Sequence, residues 1–151
     1  QRSLYTTLPN ITISKDVRDC LVIEAPTISK EIVFTNDVVQ LISDRQFLWL
    51  GRFDNVVNSG GIKLHPEIIE EKLSKLIENR FFVAGIPDDT LGEKLILCIE
   101  GAGDEGLLKK LKNSTLLSKF EIPKEVCFID AFEETATKKI QRTKTLSLIN
   151  S

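Results

Sequence analysis

Methionine is absent from the 151 residues, and histidine, tryptophan and tyrosine occur once each. A chain without an initiator that opens Gln1-Arg2-Ser3 reads as a processed or excised piece. The one histidine, His65, stands just before Pro66 and reads as a helix-entry residue, which leaves no imidazole for a histidine-based triad or a metal site. The three cysteines, Cys20, Cys98 and Cys127, are odd in number, far apart, set in apolar runs and never paired as CxxC. They are expected to be reduced core thiols, not disulfides or zinc ligands. No GxxxxGK[ST] loop occurs and no GxGxxG phosphate cradle is expected, so any nucleotide handled here needs the rest of its site elsewhere. Neither sign of charge dominates: 20 basic and 22 acidic residues are spread along the chain, for a net charge of −2. Such a surface offers no sustained field to a phosphate backbone or an anionic membrane. No apolar run reaches the length of a membrane span and no charged-then-apolar leader opens the chain. The expectation is a cytoplasmic protein with no nucleic-acid partner, no membrane span and no metal of its own.

What is present is the composition of a folded domain, 42% hydrophobic and 28% charged. Up to about residue 50, short apolar runs (Leu21-Val22-Ile23, Ile32-Val33-Phe34, Phe47-Leu48-Trp49-Leu50) alternate with turn-forming clusters at Leu8-Pro9-Asn10 and Thr35-Asn36-Asp37. That punctuation predicts antiparallel β structure. Beyond residue 55 the pattern is mixed. A hairpin is expected around Gly60-Gly61, then a helix from Pro66 that buries Ile69, Leu73, Leu76 and Ile77. Strands are predicted at Phe81 to Ile86 and Lys94 to Glu100, joined by a turn over Pro87 to Gly92. A lysine-bearing helix with Leu107, Leu108 and Leu111 inward, a strand from Val126 to Ile129 and a short closing helix from Arg142 to Ile149 complete the chain. The fold class is therefore α+β: a β-hairpin and a three-stranded sheet packed by helices, preceded by a short antiparallel β segment.

Three polar clusters remain as carriers of chemistry. Leu50-Gly51-Arg52-Phe53-Asp54 sits where the β region gives way to the α+β region. Taken alone, its guanidinium and carboxylate are a surface ion pair at a strand end. Asn58-Ser59-Gly60-Gly61-Ile62-Lys63 has the form of a hairpin tip, glycine supplying positive φ without steric cost. Thr135 to Arg142, with Lys138-Lys139 at its centre, is a basic loop whose ordinary reading is a solvated face.

In this order the clusters resemble the C-terminal part of the adenylate-forming superfamily that includes acyl-CoA synthetases, peptide-synthetase adenylation domains and luciferases. Thr35-Asn36-Asp37 resembles that family's Thr-Gly-Asp, and Gly51-Arg52-Phe53-Asp54 its Gly-Arg-x-Asp. Ser59-Gly60-Gly61-Ile62-Lys63 running into Pro66-Glu67-Ile68-Ile69-Glu70 resembles its glycine loop and Pro-x-Glu-x-Glu. Lys119-Phe120-Glu121-Ile122-Pro123 and Lys138-Lys139-Ile140-Gln141-Arg142 resemble its Lys-Tyr-x-x-Pro and Gly-Lys-x-x-Arg. Each segment alone is weak; five in the family's order and spacing span nearly the whole chain.

The resemblance implies residues 1–52 as the last β segment of a large adenylation domain and residues 53–151 as a mobile lid. It implies that Asp37 and Arg52 hold the ribose hydroxyls of the adenylate, with Asp54 as the hinge. Lys139 is then the lysine that reaches the site during adenylation, where an ammonium neutralises charge developing between carboxylate and α-phosphate. Gly60 and Gly61, with Lys63 beside them, line the path of the CoA pantetheine arm. The implied cofactors are ATP, CoA and Mg²⁺, the metal held mainly by the N-terminal portion, and the implied partners are that portion and a small carboxylic acid. Asn36 replaces the usual glycine, and Lys138 stands where glycine precedes the lysine, while Ile140-Gln141-Arg142 keeps the spacing from Lys139. The short stretch from Glu24 to Thr35, the Ser-Gly-Gly loop and the Lys-aromatic-x-Ile-Pro segment are similar to compact ligases acting on o-succinylbenzoate in menaquinone synthesis. Alternatives are an acyl-AMP ligase that loads a carrier protein, and a non-catalytic binding module descended from the family. The family's Thr/Ser/Gly-rich phosphate loop lies outside these residues, so the piece alone is expected to be inactive.

Overall fold

A computed structural model describes residues 3–149. The chain divides into two compact units, Gln1–Val56 and Val57–Ser151.

The first unit is one antiparallel sheet of β1 (Leu4–Thr6), β2 (Thr12–Lys15), β3 (Cys20–Glu24), β4 (Val33–Leu41) and β5 (Gln46–Arg52), in the order β1-β5-β4-β3-β2. Buried Ile13, Leu21 and Val39 hold it together, with Ile11, Ile23, Leu41, Phe47 and Trp49 packed on them. The β2–β3 turn is fixed locally: the Asp16 carboxylate accepts the amides of Arg18 (2.8 Å) and Cys20 (3.0 Å), and Asp19 takes a left-handed φ of 62°. Thr35-Asn36-Asp37, expected as a turn, instead lies inside β4. The β3–β4 ladder holds it from both ends, Phe34 pairing with Val22 before it and Val38 with Cys20 after it, so the three residues bulge opposite Leu21 while Asp37 pairs with Arg52 of β5.

The second unit carries the β6–β7 hairpin (Val57–Ser59, Ile62–Leu64), α1 (Pro66–Leu73), β8 (Phe81–Asp88), β9 (Gly92–Glu100), α2 (Leu107–Lys112), β10 (Glu125–Ile129) and α3 (Arg142–Ile149). Strand β9 pairs antiparallel with β8 and parallel with β10, the parallel return needing the crossover through α2. This is the expected three-stranded sheet; the hairpin joins it through one register pair, Ser59 with Gly92. Both faces are covered, which explains why Leu95 to Ile99 is apolar without alternation. Val83, Leu95, Leu97 and Ile99 pack with Ile69 and Leu73 of α1 and Leu107 and Leu111 of α2. Phe82, Ile96 and Cys98 point the other way, towards Phe132, Leu146 and Ile149. At about 25 cal/mol per Å² of apolar surface removed from water, this two-sided burial is the main stabilising term of the unit.

Two local expectations are corrected. Helix α1 ends at Leu73, so Leu76, expected inward, is exposed while Ile77 is buried. The turn after β8 is shorter than predicted because Pro87 and Asp88 pair with Glu93 and Gly92. Proline is tolerated there because among the described residues β8 pairs only with β9, leaving its other edge without ladder bonds to lose. All three cysteines are free thiols, and burial pushes that of Cys98 up to about 12.

Candidate functional site

In the first unit, Asp37 on β4 lies directly opposite Arg52 on β5. The Asp37 carboxylate oxygen Oδ1 accepts hydrogen bonds from the Arg52 guanidinium (3.1 Å) and from the indole N–H of Trp49 (3.1 Å). The Asp37 amide donates to Thr35 Oγ1, whose hydroxyl donates to the Leu21 carbonyl at 2.8 Å. A hydrogen-bond acceptor and a multiple donor thus stand side by side at a strand end, the chemistry that a vicinal diol requires. Trp49 was invisible as a polar contributor in the sequence, where it counts only as part of an apolar run. Asp54 lies exposed in a 3₁₀ turn over Phe53–Asn55, just before the division at Val56 and Val57.

Arg18 organises the same strand end, and nothing in the sequence marked it. Its guanidinium grips the Asp16 carboxylate (Nε at 3.0 Å, Nη2 at 2.7 Å), donates to Asn36 Oδ1 (2.9 Å) and the Thr35 carbonyl (3.1 Å), and stacks on Phe53 at 5.1 Å. Desolvation works to raise the Asp16 carboxyl, but the Arg18 side chain and the Cys20 and Arg18 amides outweigh it and hold the group below its ordinary range.

In the second unit, the β6–β7 tip is built on Gly60 (φ 57°) and Gly61 (φ 80°), and the Gly60 amide donates to the Leu91 carbonyl at 2.8 Å. A side-chain carbon at Gly61 would meet nothing within 4 Å, so only its backbone conformation calls for glycine. The Glu93 carboxylate accepts the Asn58 amide (3.0 Å), which fixes the hairpin on the β8–β9 turn. Lys63 is exposed on β7.

Lys139 occupies an exposed loop closed by its own backbone. The Thr135 amide donates to the Lys139 carbonyl (2.8 Å), the Lys139 amide to Thr135 Oγ1 (3.1 Å), and the Gln141 amide to the Glu133 carbonyl (2.8 Å). Lys138 takes a left-handed φ of 66°, the conformation glycine adopts without cost. The loop is tied down on both flanks. Glu134 pairs with Arg80, and that contact holds its carboxyl below the ordinary range. Arg142 forms a two-pronged ion pair with Glu70 of α1 (2.8 and 2.5 Å), donates to the Val83 carbonyl (3.0 Å) and stacks on Phe82 at 5.4 Å. Gly60-Gly61 is anchored at the turn end of the β8–β9 hairpin, through Leu91; the Lys139 loop is anchored at the other end, through Arg80. The eight residues of β8 lie between, about 25 Å of extended chain. Within this unit, then, the two predicted elements are held apart.

One glycine-rich stretch corrects the expectation that the chain has no GxGxxG. Gly101-Ala102-Gly103-Asp104-Glu105-Gly106 has G-x-G-x-x-G spacing between β9 and α2, ahead of the parallel strand β10. Packing accounts for two of its glycines: a side-chain carbon would come within 3.1 Å of Asn79 at Gly101 and within 3.3 Å of Phe128 at Gly103. The Asp104 carboxylate already takes the Gly106 amide (3.0 Å), placing a negative charge where a phosphate would go. Among the described residues no group of three or more His, Cys, Asp or Glu side chains stands ready to hold a metal.

No protein-family model matches the chain. A probable CoA ligase of Humulus lupulus is 33% identical over 114 residues, covering 72% of this chain and 21% of that protein. The 2-succinylbenzoate–CoA ligase of Listeria monocytogenes is 29% identical over 113 residues, 73% of this chain and 24% of that protein. Among solved structures, an AMP-forming acyl-CoA synthetase/AMP-acid ligase II-like protein from Dyadobacter fermentans is 38% identical, covering 97% of this chain and 43% of that one with a TM-score of 0.60. The o-succinylbenzoate coenzyme A synthetase of Bacillus subtilis, in complex with ATP and magnesium ion, shares the fold (TM-score 0.72, 18% identity, 93% of this chain and 35% of that one). The homologues of this chain are AMP-forming acyl-CoA ligases, and it spans about a fifth to a quarter of the length of the curated relatives it matches.

Proposed function

We propose that the chain is the C-terminal portion of an ATP-dependent acyl-CoA ligase, comprising the end of the adenylation domain and the lid that serves two half-reactions in turn. The observation that carries this reading is the loop of Lys139. An exposed ammonium follows a residue held in the left-handed conformation, where the resembled motif has glycine, on a loop fastened at both flanks. Lys139 then neutralises the charge that develops as the substrate carboxylate attacks the α-phosphate of ATP and pyrophosphate departs. Asp37 accepts from and Arg52 donates to the ribose hydroxyls. Gly60 and Gly61 let the pantetheine arm of CoA pass close to the backbone in the second half-reaction, with Lys63 beside them. Separate anchoring of the two elements supports presentation of one after the other by rotation about Asp54. The phosphates and Mg²⁺ belong to the N-terminal adenylation domain, and the enzyme works in the cytoplasm on a small carboxylic acid.

The finer assignment is o-succinylbenzoate as that acid. It is supported by the Ser-Gly-Gly loop, the Lys-aromatic-x-Ile-Pro segment and the Listeria relative. The test is pyrophosphate release by the full-length protein with o-succinylbenzoate and a panel of aryl and fatty acids, followed by transfer to CoA or to an acyl-carrier protein. Release with o-succinylbenzoate and transfer to CoA is the expected result. Preference for another acid overturns the finer assignment alone; transfer to the carrier in place of CoA makes it an acyl-AMP ligase; no release with any acid leaves a binding module.

A further inference from the structure

The tether between Arg18 and Asn36 has no counterpart in the resembled motif, whose glycine at the Asn36 position offers no side chain to hold. In this chain the β3–β4 ladder is interrupted between Cys20 and Val22, beside Thr35-Asn36-Asp37. Arg18 fills that gap: fixed by Asp16, its guanidinium donates to Asn36 Oδ1 at 2.9 Å and to the Thr35 carbonyl at 3.1 Å. The next residue is Asp37, aimed at Arg52 and Trp49.

We propose that Arg18, acting through Asn36, is a positioning residue that sets how strictly Asp37 reads the nucleotide's ribose hydroxyls. The proposal rests on the reading of Asp37 and Arg52 as the ribose site. A guanidinium with several geometric constraints leaves little freedom in the backbone it holds, and a hydrogen bond to a ribose hydroxyl tolerates little displacement.

The experiment measures dissociation constants of Mg-ATP, 2′-deoxy-ATP and 3′-deoxy-ATP by calorimetry on the full-length protein. Wild type is compared with Arg18→Met, Arg18→Lys, Asn36→Gly, the Arg18→Met/Asn36→Gly double variant and Asp37→Ala. Arg18→Met and Asn36→Gly should each weaken ATP about five-fold, the worth of one hydrogen bond, and weaken the deoxy-nucleotides less, so that discrimination against them shrinks. The double variant should be no weaker than Arg18→Met, because both remove one shared contact. A residue that only stabilised the fold would lower the melting temperature and leave discrimination at the wild-type value. Asn36→Gly keeps Arg18 on Asp16 and Phe53, and so tests the tether even where Arg18→Met fails to fold. If Asp37→Ala abolishes discrimination while the Arg18 and Asn36 variants keep it, the proposal is overturned and the ribose reading stands. If Asp37→Ala also keeps discrimination, the ribose reading fails and this proposal with it.

Discussion

Replacing Arg142 by alanine is the sharpest test of how the Lys139 loop is held. Arg142 joins the start of α3 to Glu70 of α1, 72 residues earlier, by two parallel bonds, and adds a third to the Val83 carbonyl. Its side chain is 26% exposed and that of Glu70 18% exposed, so water shields the pair only in part. Burial alone would lower the arginine's pKa, but the hydrogen bonds and charge of Glu70 reverse the sign and raise it. Removing one partner of a fully buried pair costs about 3–5 kcal/mol, because the other charge is left without compensation. Discounted for the exposure here, Arg142→Ala should cost about 2–3 kcal/mol. For a domain of about a hundred residues each kcal/mol lowers Tm by about 4–8 °C, giving a fall of roughly 10–20 °C. Glu70→Gln keeps the shape and loses the charge, and should cost about 1–2 kcal/mol. In urea titrations of the single and double variants the double should cost clearly less than the sum, with a coupling of about 1–3 kcal/mol. An Arg142→Ala loss within 0.5 kcal/mol of zero, or additive singles, would show that the Arg142–Glu70 pair does not hold the loop.

Gly61→Ala meets no atom, so its folding cost should be only the left-handed strain of about 1 kcal/mol; pyrophosphate release should survive while thioester formation falls, and equal loss in both would remove the pantetheine assignment. Glu134 has a folded-state pKa below its ordinary 4.5, chiefly through its hydrogen bond from Arg80. The unfolded chain therefore binds its proton first, and the stability this group supplies is complete above that value and disappears as pH falls through the lower folded one. Glu134→Gln should flatten the acid limb of a urea-midpoint profile between about pH 6 and pH 3; an unchanged slope counts against the Arg80 contact.

How much of this was legible follows from where the information resides. The two-sided burial of the β8–β9 hairpin shows in Leu95 to Ile99, and Pro66 announced α1 by its fixed φ. Leu76 misled because periodicity continues past the point where Ser74 and Lys75 leave the helix. Thr35-Asn36-Asp37 misled in the other direction: turn-forming residues form a bulge within β4, kept in the strand by the pairs Phe34 with Val22, Val38 with Cys20 and Asp37 with Arg52, a tertiary effect no local pattern carries. The resemblance picked out Asp37, Arg52, Gly60, Gly61 and Lys139 as residue types at a spacing. It could not reveal Arg18 or Trp49, nor that Glu70 meets Arg142; these partners lie 18, 12 and 72 residues apart and become neighbours only through strand register and helix packing. The glycines of Gly101 to Gly106 make the converse point, since a spacing known for phosphate binding serves close packing here.

We propose that one loop of this chain serves adenylation and another serves thioester formation. That division is tested most directly by Lys139→Ala in the full-length protein, with both half-reactions measured on the same preparation. Pyrophosphate release should fall by about 10²–10³, the usual cost of one charge-stabilising group, while CoA thioester still forms from preformed acyl-adenylate at close to the wild-type rate. Wild-type pyrophosphate release by the variant, or an equal fall in both half-reactions, would contradict it.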